Sequence, residues 1–155
     1  MRGGGALMKL KDILKVKGSK VWTIRENQSI HDALHILVNQ RIGALLVVGP
    51  KERIIGIISE RDIVRGCYAS AKELDALPVS QFMTKDIIIC TPEDEIDYIM
   101  GVMTENRVRH IPVVSEGKLQ GIVSIGDVVK SQLEAQQYEI HYLKEYIYGS
   151  GQQPS

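Results

Sequence analysis

The sequence is poor in aromatic residues, with one Phe, one Trp and six Tyr, and it has only five Pro and two Cys. Cys67 and Cys90 stand apart, without CxxC or Cys/His spacing, which argues against a disulfide framework and a structural zinc site. Such cysteine usage suits a reducing compartment, and the expected location is the cytoplasm. Charge of one sign is not in excess either: Lys plus Arg and Asp plus Glu are 19 each, for a net charge of zero. Nucleic-acid binders normally carry a basic surplus, so no nucleic-acid partner is expected. Long apolar runs are missing. Segments such as Ile42–Gly49 and Ile87–Cys90 fall well short of the roughly 18 residues that cross a bilayer, so no membrane partner is expected. The start, Met1 to Ala6, is glycine-rich and has no apolar h-region. Residues 1–7 read as a cloning remnant or a disordered start ahead of Met8, and residues 149–155 as a disordered tail.

What remains is a chain of 155 residues with 44% hydrophobic and 25% charged content. That is globular composition, enough for one ordinary domain or two very small ones. The chain repeats itself. Ile42-Gly43-Ala44-Leu45-Leu46-Val47-Val48 aligns with Val108-Arg109-His110-Ile111-Pro112-Val113-Val114 at a spacing of 66 residues, which also pairs Ile30 with Ile96 and Arg41 with Arg107. Gly56-Ile57-Ile58-Ser59-Glu60-Arg61-Asp62-Ile63-Val64 aligns with Gly121-Ile122-Val123-Ser124-Ile125-Gly126-Asp127-Val128-Val129 at a spacing of 65. The extra residue of the first copy falls in the turn-rich stretch Gly49–Arg53, opposite Ser115–Lys118, where insertions are tolerated.

The copies span about residues 20–66 and 86–131, and each reads strand, helix, strand, turn, strand, helix. Val21–Ile24 and Ile87–Cys90 are β-branched-rich runs that suit strands. Ser29 is an N-cap candidate ahead of an amphipathic helix carrying Ile30, Leu34, Leu37 and Val38. Thr91-Pro92-Glu93-Asp94 supplies the second copy with a cap, a first-turn proline and early acids. Leu45–Val48 with Ile54–Ile58, and Ile111–Val114 with Leu119–Ser124, read as hairpins. Leu10–Leu14 and Val79–Met83 are matching helical lead-ins. The expected division is 8–75, 76–131, a C-terminal helix over 132–148, and the tail. About 45 residues bury too little surface to stand alone, so the copies are expected to pack together with pseudo-two-fold symmetry. From Asp127 to Tyr148 the chain continues as a long helix. Val129, Leu133, Gln136, Ile140, Leu143 and Ile147 form a heptad-like seam, and Tyr138, Tyr142, Tyr146 and Tyr148 lie near it. That seam is read as a dimer contact, against the alternative of a helix lying on its own domain.

Each copy carries Gly-apolar-apolar-Ser-x-x-Asp where a strand hands over to a helix. Helix N-termini offer unpaired N–H groups and partial positive charge, which suit a phosphate. The serine adds a donor, and the aspartate can accept from two adjacent hydroxyls, as on a ribose. A hydrogen bond to a charged group is worth about 1.5–3 kcal/mol, enough to select a nucleoside over a bare base. The plainer alternative is that Ser and Asp simply cap a helix.

These motifs as a set resemble a tandem pair of cystathionine β-synthase (CBS) domains, a Bateman module, over essentially the whole ordered chain. The resemblance implies an α/β (α+β) fold of two β-α-β-β-α repeats plus the long C-terminal helix, a homodimer, and an unknown downstream enzyme or regulator. It implies no catalytic cofactor. Its ligands are adenosine-containing: AMP or ATP foremost, then ADP, NAD(H) or S-adenosylmethionine, held in clefts between the copies. One cleft would join Ser124 and Asp127 to Gly43 and Ala44, with Lys20, Val21 and Thr23 flanking the base. The other would join Ser59, Arg61 and Asp62 to Ile88, Arg109, His110, Ile111 and Pro112. Small residues at Gly43 and Ala44 let a flat base approach the backbone. Arg109 and His110 would neutralise phosphate, Arg109 the more dependably. The first copy has Leu46 where the second has Pro112 and lacks the basic pair, so the clefts should differ.

Two other features of the sequence point to different chemistry. His31 and His35 lie four apart, the spacing of a zinc pair in a metal-dependent hydrolase, but no third ligand is evident, and two solvated polar residues is the preferred reading. Lys9, Lys11, Lys15, Lys17 and Lys20 are read as a solvated face. The chain is expected to be non-catalytic. The competing reading is a protein-interaction module with vestigial ligand clefts.

Overall fold

A computed structural model describes residues 8–70 and 72–149. The expectations for residues 1–7 and 150–155 lie outside the described residues. The elements run α1 (Leu10–Lys17), β1 (Thr23–Arg25), α2 (Ile30–Gln40), β2 (Ala44–Val48), β3 (Ile54–Ser59), α3 (Glu60–Ala69), α4 (Ile96–Asn106), β4 (His110–Ser115), β5 (Lys118–Ser124) and α5 (Ile125–Gly149). Short 3₁₀ turns cover Leu74–Ala76 and Val79–Gln81. The fold is therefore mixed α/β, with the repeated helix–hairpin–helix plan and the long terminal helix foreseen above.

The chain forms two compact units, Lys20–Ile89 and a second made of the residues before Lys20 together with those from Cys90 onward. In the first unit, β1 runs parallel to β2, which pairs antiparallel with β3, Ala44 facing Ser59 and Leu46 facing Ile57. All five β2 residues are buried, as a central strand covered on both faces requires. Ile30, Ala33 and Leu37 of α2 pack with Leu45, Val47, Ile58 and Ile63 into one core. Fully burying a side chain such as Leu45 contributes about 1.5–3 kcal/mol. Ser29 caps α2 as expected, accepting from the Asp32 amide at 3.1 Å.

In the second unit, β4 and β5 form the matching hairpin, with His110 facing Ser124 and Pro112 facing Ile122. Two expectations are corrected here. Ile87–Cys90 is not a strand: only Cys90 joins the sheet, through Cys90 N–H to Pro112 O at 3.0 Å and Val114 N–H to Cys90 O at 2.8 Å. Pro92, two residues on, has no N–H to continue a ladder and holds Thr91 out of helical geometry. Thr91 accordingly does not cap α4. It closes a tight turn, its amide donating to Asp94 Oδ2 at 2.7 Å, and the helix begins at Ile96.

The lead-ins are exchanged relative to chain order. Helix α1 belongs with the second repeat: the Leu10 amide donates to Asp94 O and the Ile96 amide to Met8 O, both at 3.0 Å. Leu10 and Ile13 are buried there. The stretch Val79–Thr84, which precedes the second repeat, stays with the first. Its Thr84 exchanges both backbone hydrogen bonds with Ile57, at 3.0 and 2.8 Å. Glycine permits each docking. A Cβ on Gly56 would stand 2.7 Å from Met83 Sδ, and one on Gly121 2.7 Å from Leu14 Cδ2. Helix α5 runs beyond its own unit's core. The seam residues Val129, Leu133, Ile140, Leu143 and Ile147 are exposed, as are the four tyrosines, and Gln136 with them.

Candidate functional site

The duplicated Ser-x-x-Asp sits at the β3–α3 and β5–α5 junctions, and in both it forms a reciprocal capping box. At the first, the Ser59 amide and hydroxyl donate to Asp62 Oδ2 at 2.8 and 3.0 Å, and the Asp62 amide donates back to Ser59 Oγ at 3.3 Å. At the second, the Ser124 amide donates to Asp127 Oδ2 at 2.9 Å, and the Asp127 amide to Ser124 Oγ at 3.2 Å. Ser29 and Asp32 make the same box at α2, outside the duplicated motif. The motif therefore carries a structural role whatever else it does.

The helix N-termini are also less open than sequence implied. The first amide of α3, Glu60 N–H, donates to Gly43 O at 3.0 Å, and the first of α5, Ile125 N–H, to Arg109 O at 2.8 Å. With the third amide held by the serine, these contacts leave over the amides of Arg61 and Gly126. Anion binding at either turn would rest on one backbone donor and on nearby side chains, not on a full ring of N–H groups.

What distinguishes the turns is the second partner of each aspartate. Asp62 Oδ1 accepts from the Thr84 hydroxyl at 3.1 Å. Asp127 Oδ2 accepts from Lys17 Nζ at 2.6 Å, and the same ammonium donates to Ile122 O at 2.9 Å. Ile122 occupies in β5 the place of Ile57 in β3. One lysine side chain thus donates to both the strand carbonyl and the carboxylate, as Thr84 does with its amide and hydroxyl, but it has no acceptor to match the Thr84 carbonyl. Asp127 Oδ1 takes no hydrogen bond among the described residues. Burial pushes the Asp127 carboxyl up, but the Lys17 hydrogen bond, the Ser124 amide and the Lys17 charge outweigh it, and the group titrates below the ordinary carboxylate value.

The remaining expected site residues divide between the units. In the first, Gly43 and Ala44 lead into β2, with Ala44 opposite Ser59, so small residues and the Ser-x-x-Asp turn share one sheet edge. Thr23 lies in β1 opposite Leu46. Lys20 Nζ sits 4.4 Å from the Trp22 ring centroid, a cation–π contact, with Val21 half-buried between them in sequence. Arg61 is exposed in the first turn of α3, and Ile88 is half-buried. In the second unit, Arg109 is exposed, His110 is half-buried opposite Ser124, and Ile111 and Pro112 are buried. Burial, then the charges of Lys17 and Arg109, hold the His110 imidazole below its ordinary value against the pull of Asp127. His110 is thus held toward its uncharged form, and Lys17 and Arg109 are the other basic side chains beside this turn.

Sequence reasoning missed Lys17, Thr84 and Trp22. The lysine-rich start is not merely a solvated face: Lys17 pairs with Asp127, Lys20 stacks on Trp22, and Lys9 and Lys11 pair with Glu93 at 2.8 and 3.2 Å. His31 and His35 sit on α2, where the His35 ring lies 2.9 Å from the Asn39 amide. Among the described residues no three His, Cys, Asp or Glu side chains gather to hold a metal ion.

Two stretches of the chain, residues 10–68 and 79–134, match the CBS domain family model. The chain belongs to the CBS domain family and carries the domain as a tandem pair. It is 35% identical over 149 residues to the mitochondrial CBS domain-containing protein CBSX3 of Arabidopsis thaliana, covering 90% of this chain and 72% of that one. A CBS-domain-containing protein of Agrobacterium tumefaciens has a similar solved structure, with a TM-score of 0.81, 36% identity, and coverage of 85% of this chain and 98% of that one. Another is a CBS domain pair in complex with 5′-methylthioadenosine and S-adenosyl-L-methionine, with a TM-score of 0.71 and 26% identity, covering 85% of this chain and 99% of that one. No helix among the described residues is long and apolar enough to cross a membrane.

Proposed function

We propose that this chain is a non-catalytic regulatory sensor that binds adenosine-containing ligands through its two Ser-x-x-Asp turns, AMP or ATP foremost, then ADP, NAD(H) or S-adenosylmethionine. The observation that carries this reading is Asp127. It is held ionised on a rigid strand–helix corner with Oδ1 uncommitted, as an acceptor for sugar hydroxyls should be. Duplication of the corner at Asp62, and the solved relative that holds two adenosyl compounds, support the same chemistry. Gly43 and Ala44 in one unit, and Arg109 with Ile111 and Pro112 in the other, supply the small, basic and apolar surroundings that a nucleotide needs. Regulation follows if the ligand prefers one of two states of the module. The reducing cytoplasm is the compartment proposed.

The test is calorimetric titration of the intact protein with AMP, ATP, NADH and S-adenosylmethionine, repeated on Asp127→Asn and Asp62→Asn. Asn keeps an oxygen for the cap but loses the charge and one acceptor. The reading requires that each variant lose one binding event while its far-ultraviolet spectrum stays unchanged.

A second reading is favoured by α5, whose seam from Leu133 to Ile147 is exposed. Here the chain is a protein-interaction module. Helix α5 holds a homodimer or engages a partner enzyme, and the aspartates serve only as caps.

A further inference from the structure

The two aspartates are restrained by different means, and the difference has a functional consequence that rests on the reading above. Thr84 is tied to Ile57 by two backbone hydrogen bonds, which hold its short side chain beside Asp62, so its hydroxyl moves only by rotation about χ1. Lys17 holds Asp127 and Ile122 O through one flexible side chain at the last residue of α1, next to Gly18, whose φ of 90° ends the helix. Its side chain is 34% exposed, so water can take its place at modest cost.

A carboxylate offers about four lone-pair positions, two on each oxygen. On Asp127 Oδ2, the Ser124 amide and the Lys17 ammonium already fill both. A vicinal diol that bridges both oxygens needs one of them back. The Ser124 amide is fixed in the capping box; the ammonium is not.

We propose that Lys17 is an affinity-determining latch on the Asp127 site: a sugar diol displaces its ammonium from Oδ2, and occupation of the site frees the last turn of α1. Leu10 and Ile13 keep the start of the helix buried, so release is confined to the segment after Leu14. The Asp62 site has no equivalent, because its competing donor is anchored by the backbone.

The probe is adenosine, which carries the diol without a phosphate. Calorimetry would compare the wild type, Lys17→Met and Lys17→Arg. The Asp127-dependent event should tighten about two- to five-fold in Lys17→Met and stay near wild type in Lys17→Arg, the range expected for removing a partly exposed ion pair. Added KCl should tighten adenosine binding to the wild type, by screening the latch, and leave Lys17→Met unmoved. Hydrogen exchange at residues 15–18 should accelerate in the wild type when adenosine is added. This salt and exchange series needs no variant, so it stands even if Lys17→Met folds poorly. Unchanged or weaker adenosine binding in a folded Lys17→Met overturns the latch, as does a selective loss of AMP affinity, which would make Lys17 a phosphate contact. Binding that Asp127→Asn abolishes but Lys17→Met leaves alone overturns the latch only. No binding of adenosine or AMP to any form overturns the ligand reading as well.

Discussion

Thr84 reaches Asp62 Oδ1 through its hydroxyl at 3.1 Å while its amide and carbonyl close a two-bond bridge to Ile57. A segment that precedes the second repeat in sequence thereby becomes part of the first repeat's corner. Thr84→Val keeps the bridge and removes only the hydroxyl. It should cost about 0.5–1.5 kcal/mol, the net worth of one hydrogen bond, read as a lower urea midpoint with an unchanged slope. No change in midpoint would show that the contact contributes nothing in solution.

The serines of the two boxes should both matter to stability. Ser59→Ala and Ser124→Ala each remove the acceptor of an N3 amide, and each should cost about 1 kcal/mol. Thermal melts of the single variants and the double variant test this. The sites lie in different units, so the two losses should add.

The pH dependence of stability has two separable parts. The folded Asp127 carboxyl titrates below its ordinary 3.8, so its contribution is complete above that pH and is lost as pH falls through the lower folded value. His110 also titrates low, below an ordinary 6.5. Between its folded and unfolded values the unfolded chain binds the extra proton, so stability declines as pH drops below about 6.5 toward the folded value. Urea titrations from pH 7 to 3 should show both declines. His110→Gln should remove the upper one and Asp127→Asn should flatten the lower one. A His110→Gln curve that still falls between the ordinary histidine and carboxylate ranges would assign that decline elsewhere.

The two thiols should behave differently. Cys90 is buried and donates to Pro112 O at 3.4 Å, and burial pushes its thiol up to about 12; Cys67 is exposed on α3. A thiol reagent at pH 8 should therefore modify Cys67 alone in the native protein and both after denaturation. Rapid reaction of Cys90 under native conditions would contradict the burial of the second hairpin.

Much of the fold is written locally. The β2–β3 and β4–β5 hairpins, the Ser29 cap and the long final helix follow from short apolar runs, turn residues and period 3.6, which depend only on near neighbours in sequence. Arg41 and Arg107, aligned by the repeat, both end their helices in the left-handed region, at φ of 53° and 55°, so the duplication reaches even the caps. Ile87–Cys90 failed as a strand because β-branched content cannot reveal whether a partner edge is available, and Pro92 curtails what pairing there is. The site was legible to the same depth. Ser59, Asp62, Ser124 and Asp127 could be found by their repeat, but their capping geometry competes with ligand binding for the same oxygen atoms. Lys17 and Thr84 were out of reach, because each meets its aspartate only through the exchange of lead-ins. Lys17 is 110 residues from its partner.

Helix α5 offers an independent check on the proposed assembly. Ile140→Glu with Leu143→Glu places charge in the exposed seam without touching the buried Val128 and Ser131 at the helix base. Sedimentation should show the wild type at twice the mass of the variant. Equal masses would remove α5 as the dimer contact.

The measurement closest to the centre of the account is a calorimetric titration of the wild type with AMP, set beside Asp127→Asn under identical conditions. The account predicts saturable binding to the wild type and loss of one event in the variant, with the fold retained. An identical isotherm for both proteins would contradict it, and would leave the Asp127 carboxylate as a helix cap and nothing more.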